Sequence, residues 1–164
     1  MLRSLVGSEM CIRDSHDTYP KRRGMTRVPE LMAAGLTVAF GQDCVMDPWY
    51  SLGSGDMLDV AHMGLHVAQM TSQEGMRQCF EAVTSHPANI MGLDRFGIAP
   101  GKEASFVLLQ ARSAAEALRL RATRLRVYRR GRLLAQTPAS TTRLDLPGRP
   151  AETSRIAQDR TGAL

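Results

Sequence analysis

The chain has 164 residues, a formal net charge of +5, 43% hydrophobic residues and 23% charged residues, the composition of a globular domain with a sizeable core. No apolar run approaches the roughly 20 residues that a membrane-spanning helix needs. Cys11, Cys44 and Cys79 lack CxxC spacing, which argues against a disulfide framework or a thiolate zinc site and fits a reducing cytoplasm.

Residues 1–15 read MLRSLVGSEMCIRDS. Gly7, Ser8 and Glu9 interrupt the apolar stretch, so this is not a signal peptide. Ser4 to Ser15 look like the in-frame translation of a sequencing-library adapter. The expectation is that residues 1–15 are non-native and that genuine protein starts near His16.

Thr26 is placed to cap a helix with Pro29 in its first turn and Gly35 as its stop. Residues 36–40, LTVAF, read as a short buried parallel strand. Helix, glycine stop and buried strand in that order make one α/β repeat. A polar and aromatic loop follows over residues 41–50. Asp56 caps a helix predicted to reach about residue 70, with Leu58, Ala61, Leu65 and Ala68 at helical spacing. A helix after Ser72 runs to about residue 84. Pro87 opens a short one that Gly92 closes.

After Pro100-Gly101 the texture changes. Residues 105–109 read as a strand and 113–121 as a helix. Residues 125–129 alternate as a strand, Gly131 turns the chain, and residues 133–135 return. Residues 141–146 make a further strand. From Pro147 the chain is polar and reads as a disordered tail. No internal repeat is present.

Asp43 follows the end of the predicted strand, where barrel enzymes keep catalytic groups. There a carboxylate can ligate a metal, although an Asp after a strand is also common in plain loops. His62 and His66 have the i, i+4 spacing of a zinc pair, but no Glu stands between them as in HExxH, which favours helix packing or exposure. His86, before Pro87, reads as a residue of the helix start. Trp49, the single tryptophan, either stacks on a flat heterocycle or caps the rim of the fold. Cys44 is either a pocket wall or an inert buried thiol. The arginines between Arg119 and Arg132 suggest nucleic acid, but there is no interleaved aromatic platform and a solvated sheet face fits better. P-loop, dinucleotide and serine-elbow motifs are absent, as is the HxE…PCxxC signature of small zinc base deaminases.

The stretch from Asp17 to Met70 resembles the bacterial cytosine deaminases of the amidohydrolase superfamily. The matching text is Asp17-Thr-Tyr-Pro-Lys-Arg-Arg-Gly24, Thr26-Arg-Val28, Phe40-Gly41, Asp43, Asp47-Pro-Trp-Tyr50 and His62-Met-Gly-Leu-His-Val67. It continues more weakly through Ile98-Ala-Pro-Gly-Lys102 and Ser105-Phe-Val-Leu-Leu109. The resemblance implies an α/β fold: the C-terminal portion of a (β/α)8 TIM-type barrel over residues 16–97, then strands of a small β-sandwich with a crossover helix over residues 98–146.

It also implies one divalent metal, iron or zinc. Metal-bound hydroxide attacks the amidine-like carbon of a cytosine-like base and ammonia leaves. Asp43 resembles the family's strand-eight metal ligand, and Trp49 its pocket tryptophan. His62 and His66 match helix positions that are not ligands. Close relatives read His-Asp-Asp where this chain reads Gln42-Asp43-Cys44. The second carboxylate, which faces the substrate ring, is replaced by the neutral Cys44. That shifts the expected preference toward 5-substituted cytosine or another cyclic amidine such as creatinine.

The family's remaining ligands and its proton-shuttling glutamate lie upstream and match nothing in this chain. The isolated chain is therefore expected to be inactive, to bind metal poorly and to aggregate through an open sheet edge. A homo-oligomer is expected for the full-length enzyme, with no nucleic-acid partner. A non-catalytic interaction module is the alternative from another class.

Overall fold

The computed structural model describes residues 26–48, 51–149 and 152–153. Among the described residues five helices precede or interrupt the strands: α1 (Val28–Ala33), α2 (Met57–Val67), α3 (Gln73–Glu81), α4 (Ser85–Ile90) and α5 (Ala114–Leu120). Three start on side-chain caps, of which the sequence predicts the one at Asp56. Asp56 accepts from the Leu58 N–H, Ser72 from Gly75 and Ser113 from Glu116, each satisfying a donor the helix leaves orphaned. Helix α1 is different. Its N-cap is Arg27, not Thr26, and it has no side-chain cap. Thr26 instead uses its backbone carbonyl, 2.8 Å from the Val28 nitrogen.

Four helices stop in the same way. Leu36 N–H donates to Leu31, Met70 to Leu65, Leu93 to Ala88 and Ala122 to Ala117. These are the reach-back bonds of a Schellman end, which needs one left-handed residue just before the donor. Gly35 and Gly92 fill that place for α1 and α4; Gln69 and Arg121, with φ of 56° and 45°, fill it for α2 and α5.

The core lies among α2, α3 and α5, which pack on one another. Leu58, Ala61 and Leu65 of α2, Cys79 of α3 and Ala117 and Leu118 of α5 are buried together with Val28, Met70 and Ala122. Leu58, Ala61 and Leu65 recur at the predicted helical spacing, so one stripe of α2 faces inward. Leu118 is 1% exposed, a burial worth about 1.5–3 kcal/mol. Helix α5 thus shares its core with the helices that precede residue 98.

Three strands, β1 (Phe106–Leu109), β2 (Arg124–Arg129) and β3 (Arg132–Gln136), form an antiparallel sheet in that order. Arg130 and Gly131, both left-handed at φ 51° and 78°, make the tight turn between β2 and β3. Phe106 and Tyr128 are cross-strand partners whose rings stack at 4.9 Å. Gln110, 3% exposed, donates to the Ser140 carbonyl at 2.7 Å and accepts from the Ser140 N–H at 2.8 Å, so its buried amide is satisfied. Every residue of β3 is exposed. A separate two-stranded ladder joins β4 (Thr142–Arg143), inside the stretch read from sequence as a strand, to β5 (Glu152–Thr153), inside the stretch read as a tail.

Residues 36–40 differ from expectation. They have no regular secondary structure and belong to no ladder, and Leu36 is 53% exposed. A parallel strand takes its hydrogen bonds from strands distant in sequence, and among the described residues none lies beside it. Helices hold this segment instead. No helix among the described residues is long and apolar enough to cross a membrane.

Candidate active site

The site is built on the exit of that segment. Val38 and Phe40 pack against the helical core. The Phe40 N–H donates to the Ala82 carbonyl at 2.8 Å, and the Val38 carbonyl accepts from His86 Nδ1 at 2.9 Å. The Phe40 ring lies on Gly64 of α2 so closely that a Cβ there would stand 2.6 Å from Phe40 Cε2. Glycine at 64 is therefore a packing requirement.

Beyond Phe40 the chain makes a three-residue turn. The Cys44 N–H donates to the Gln42 carbonyl at 2.9 Å, and the central residue, Asp43, has φ of 63°. An i to i+2 bond closed over a left-handed residue is the rarer and more strained form of γ-turn. Such strain is concentrated at functional sites in proteins generally. The turn separates two neighbours: Asp43 is exposed, and Cys44 is 8% exposed. The Cys44 carbonyl is met by Gly53, where no Cβ fits, so the loop after Cys44 returns to its own base. Gln42 Oε1 is buried with no hydrogen-bond partner among the described residues. Trp49, the third residue expected at the site, lies outside the described residues.

The two histidines at zinc-like spacing are engaged otherwise. His62 donates from Nδ1 to the Leu118 carbonyl at 3.0 Å, joining α2 to α5. The His66 ring meets the His62 ring edge-on at 4.7 Å. Among the described residues no three His, Cys, Asp or Glu side chains converge on a point where a metal could sit. The Asp43 carboxylate is a single donor, whereas a protein-held metal takes several. These residues fit one corner of a metal site and do not hold an ion by themselves.

Two features escape sequence reading. His86 reaches 48 residues back to Val38, and Gly64 seats Phe40. Neither contact leaves a local pattern, because each joins elements far apart along the chain. The i, i+2 alternation of Val38 and Phe40 is the one available signal that this side of the segment faces helices.

A segment backed by helices, ending in a carboxylate on a strained turn, has the layout of the C-terminal edge of a barrel hydrolase. The amidohydrolase family model matches residues 4–135, and the chain belongs to that family. The match starts inside the adapter-like segment. The chain is 31% identical over 147 residues to the pterin deaminase of Rhizobium rhizogenes (strain K84 / ATCC BAA-868), covering 87% of this chain and 33% of that protein. Two crystal structures of Klebsiella pneumoniae 5-methylcytosine deaminase are also similar. The one liganded with phosphonocytosine has TM-score 0.70 and 39% identity, over 76% of this chain and 31% of that one. The one liganded with 5-fluorocytosine has TM-score 0.73 and 38% identity, over 79% and 32%. The N-isopropylammelide isopropylaminohydrolase of Burkholderia multivorans ATCC 17616 gives TM-score 0.67 and 33% identity, over 71% and 30%. The chain thus spans about a third of the length of these relatives. Its fold is that of part of an amidohydrolase barrel with an antiparallel sheet appended.

Proposed function

We propose that this chain is the C-terminal part of a hydrolase that deaminates a cytosine-like base carrying a substituent at ring carbon 5. The reaction replaces the exocyclic amino group with the oxygen of water and releases ammonia. The observation that carries this reading is the pairing of an exposed Asp43 carboxylate with a buried Cys44 side chain across one turn.

Asp43 is the polar group of the pair, and its proposed role is to help hold the metal and to accept a proton from the attacking water. Cys44 presents a sulfur wall where closer cytosine deaminases carry a second carboxylate. A methyl group beside a desolvated carboxylate is disfavoured, because the charge loses hydration without gaining a partner. Beside a thiol it meets a polarizable apolar surface. The similarity to 5-methylcytosine deaminase supports the same choice of base. Trp49 is proposed as the residue that stacks on the ring.

The family's divalent ion, iron or zinc, would lower the pKa of a water and so supply the nucleophile. Asp43 would be one of its ligands. The complete enzyme is proposed to be a cytoplasmic homo-oligomer whose barrel carries a small β-sandwich, to which β1, β2 and β3 belong. The pterin deaminase match, over 147 residues, favours a second reading in which the cyclic amidine is bicyclic.

The test is ammonia release by the complete enzyme with cytosine, 5-methylcytosine, creatinine and pterin, repeated with Cys44→Asp. The expected result is a preference for 5-methylcytosine over cytosine that Cys44→Asp reverses. An unchanged ranking in the variant overturns the role of Cys44. No turnover of any of the four supports a non-catalytic module instead.

A further inference from the structure

We infer that His86 is a positioning residue for Asp43, a role that rests on the reading of Asp43 as part of the reaction site. His86 sits in the first turn of α4. The Val38 carbonyl can only accept, so the bond of 2.9 Å requires the proton on His86 Nδ1. The other ring nitrogen, Nε2, stands 3.7 Å from Glu81 Oε2. Glu81 also pairs with Arg77, so the carboxylate facing His86 already has a cationic partner. The imidazole is a bracket between α4 and the segment over residues 36–40.

Among the described residues, the segment over residues 36–40 is held by His86 at Val38, by the Ala82 carbonyl at Phe40 N–H, and by the Phe40 ring against Gly64. All three anchors come from α2, α4 or the α3–α4 corner. The strained turn at Asp43 begins two residues beyond Phe40 and is closed on its far side by Gly53 against Cys44. Of the anchors, His86 is the side chain that reaches the segment from α4, and it grips before the turn. Releasing Val38 lets the segment slide along the helices, and Asp43 moves with it.

Two measurements on the complete enzyme test the proposal. Nitrogen-15 NMR of the imidazole at pH 8 reads the tautomer directly and needs no variant. The proton is expected on Nδ1 of His86; a neutral ring carrying it on Nε2 overturns the bracket. Amide hydrogen exchange then compares the parent with His86→Leu and His86→Asn. Leucine is expected to speed exchange at the Phe40 and Cys44 amides about tenfold, the scale of one net hydrogen bond. The Ala61 and Leu118 amides of the core are expected to change less than about twofold. Asparagine, which keeps a donor, is expected to restore protection. Unchanged exchange in His86→Leu, or no rescue by asparagine, sinks the proposal. The reading of Asp43 itself fails separately, if Asp43→Asn leaves ammonia release by the complete enzyme intact.

Discussion

The Asp56 carboxylate joins two parts of the fold at once: Oδ1 accepts the Leu58 N–H at 3.0 Å to start α2, and Oδ2 meets Arg124 Nη1 of β2 at 2.9 Å. The two bonds can be separated by substitution. Asp56→Asn keeps a capping oxygen and loses the ion pair; Asp56→Ala loses both. Loss of a cap costs about 1 kcal/mol, and a partly exposed pair is worth about 0–1 kcal/mol. Urea unfolding of the chain is therefore expected to rank parent, Asp56→Asn and Asp56→Ala in falling order of stability. Equal midpoints for the two variants would assign the whole effect to the pair.

Gly64→Ala drives a methyl group into the Phe40 ring. Overpacking of this kind costs about 1–3 kcal/mol. The smaller side chain of Phe40→Leu is expected to recover part of that loss, so the double variant should be more stable than the sum of the single losses predicts. Strict additivity in a double-mutant cycle would show that the ring and the helix do not press on each other.

Gln69 and Arg121 hold left-handed conformations that glycine adopts without strain. Gln69→Gly and Arg121→Gly are each expected to gain about 0.5 kcal/mol, the relief of strain less the added freedom of the unfolded chain. A loss of stability in either variant would mean that the side chain makes a compensating contact. Thermal or urea unfolding reads the sign directly.

Burial pushes the Cys79 thiol up from its ordinary range. A raised folded value favours the protonated thiol in the folded state. Its stabilising effect is fully present below the unfolded thiol pKa, about 8.5, and is lost as the pH rises toward the folded value. Stability should therefore fall between pH 8 and pH 10 in the parent, and less steeply in Cys79→Ala. Parallel pH profiles of the urea midpoint in the two proteins would contradict the assignment.

Much of the fold is legible in the residues because much of it is local. Asp56 caps α2 as the sequence predicts, and Ser72 and Ser113 cap α3 and α5 in the same local way, since a cap bonds to a nitrogen two or three residues on. The spacing of Leu58, Ala61 and Leu65 marks the buried stripe of α2 for the same reason. The misreadings are non-local. Residues 36–40 have the composition of a strand, but a strand is a property of its neighbours. Thr26 has the chemistry of a cap, yet Arg27 occupies the position and Pro29 suffices to start α1. Glu152–Thr153 looks like polar tail because its order comes from pairing with Thr142–Arg143. At the site, Asp43 stands out by its place after an apolar run. The φ of Asp43 and the burial of Cys44 are set by Gly53 and the returning loop, which residue type alone does not disclose.

The contact between the Cys44 carbonyl and Gly53 has a consequence for how this protein can change. Because Gly53 returns to the Cys44 carbonyl, changes in the loop between them are expected to leave Asp43 in place. The reactive corner at Asp43 is thereby separate in sequence from the segment, Trp49 included, that is proposed to meet the substrate ring. An insertion library confined to residues 45–52 would explore new substrates at far lower risk to folding than one that crosses Gln42, Asp43 and Cys44.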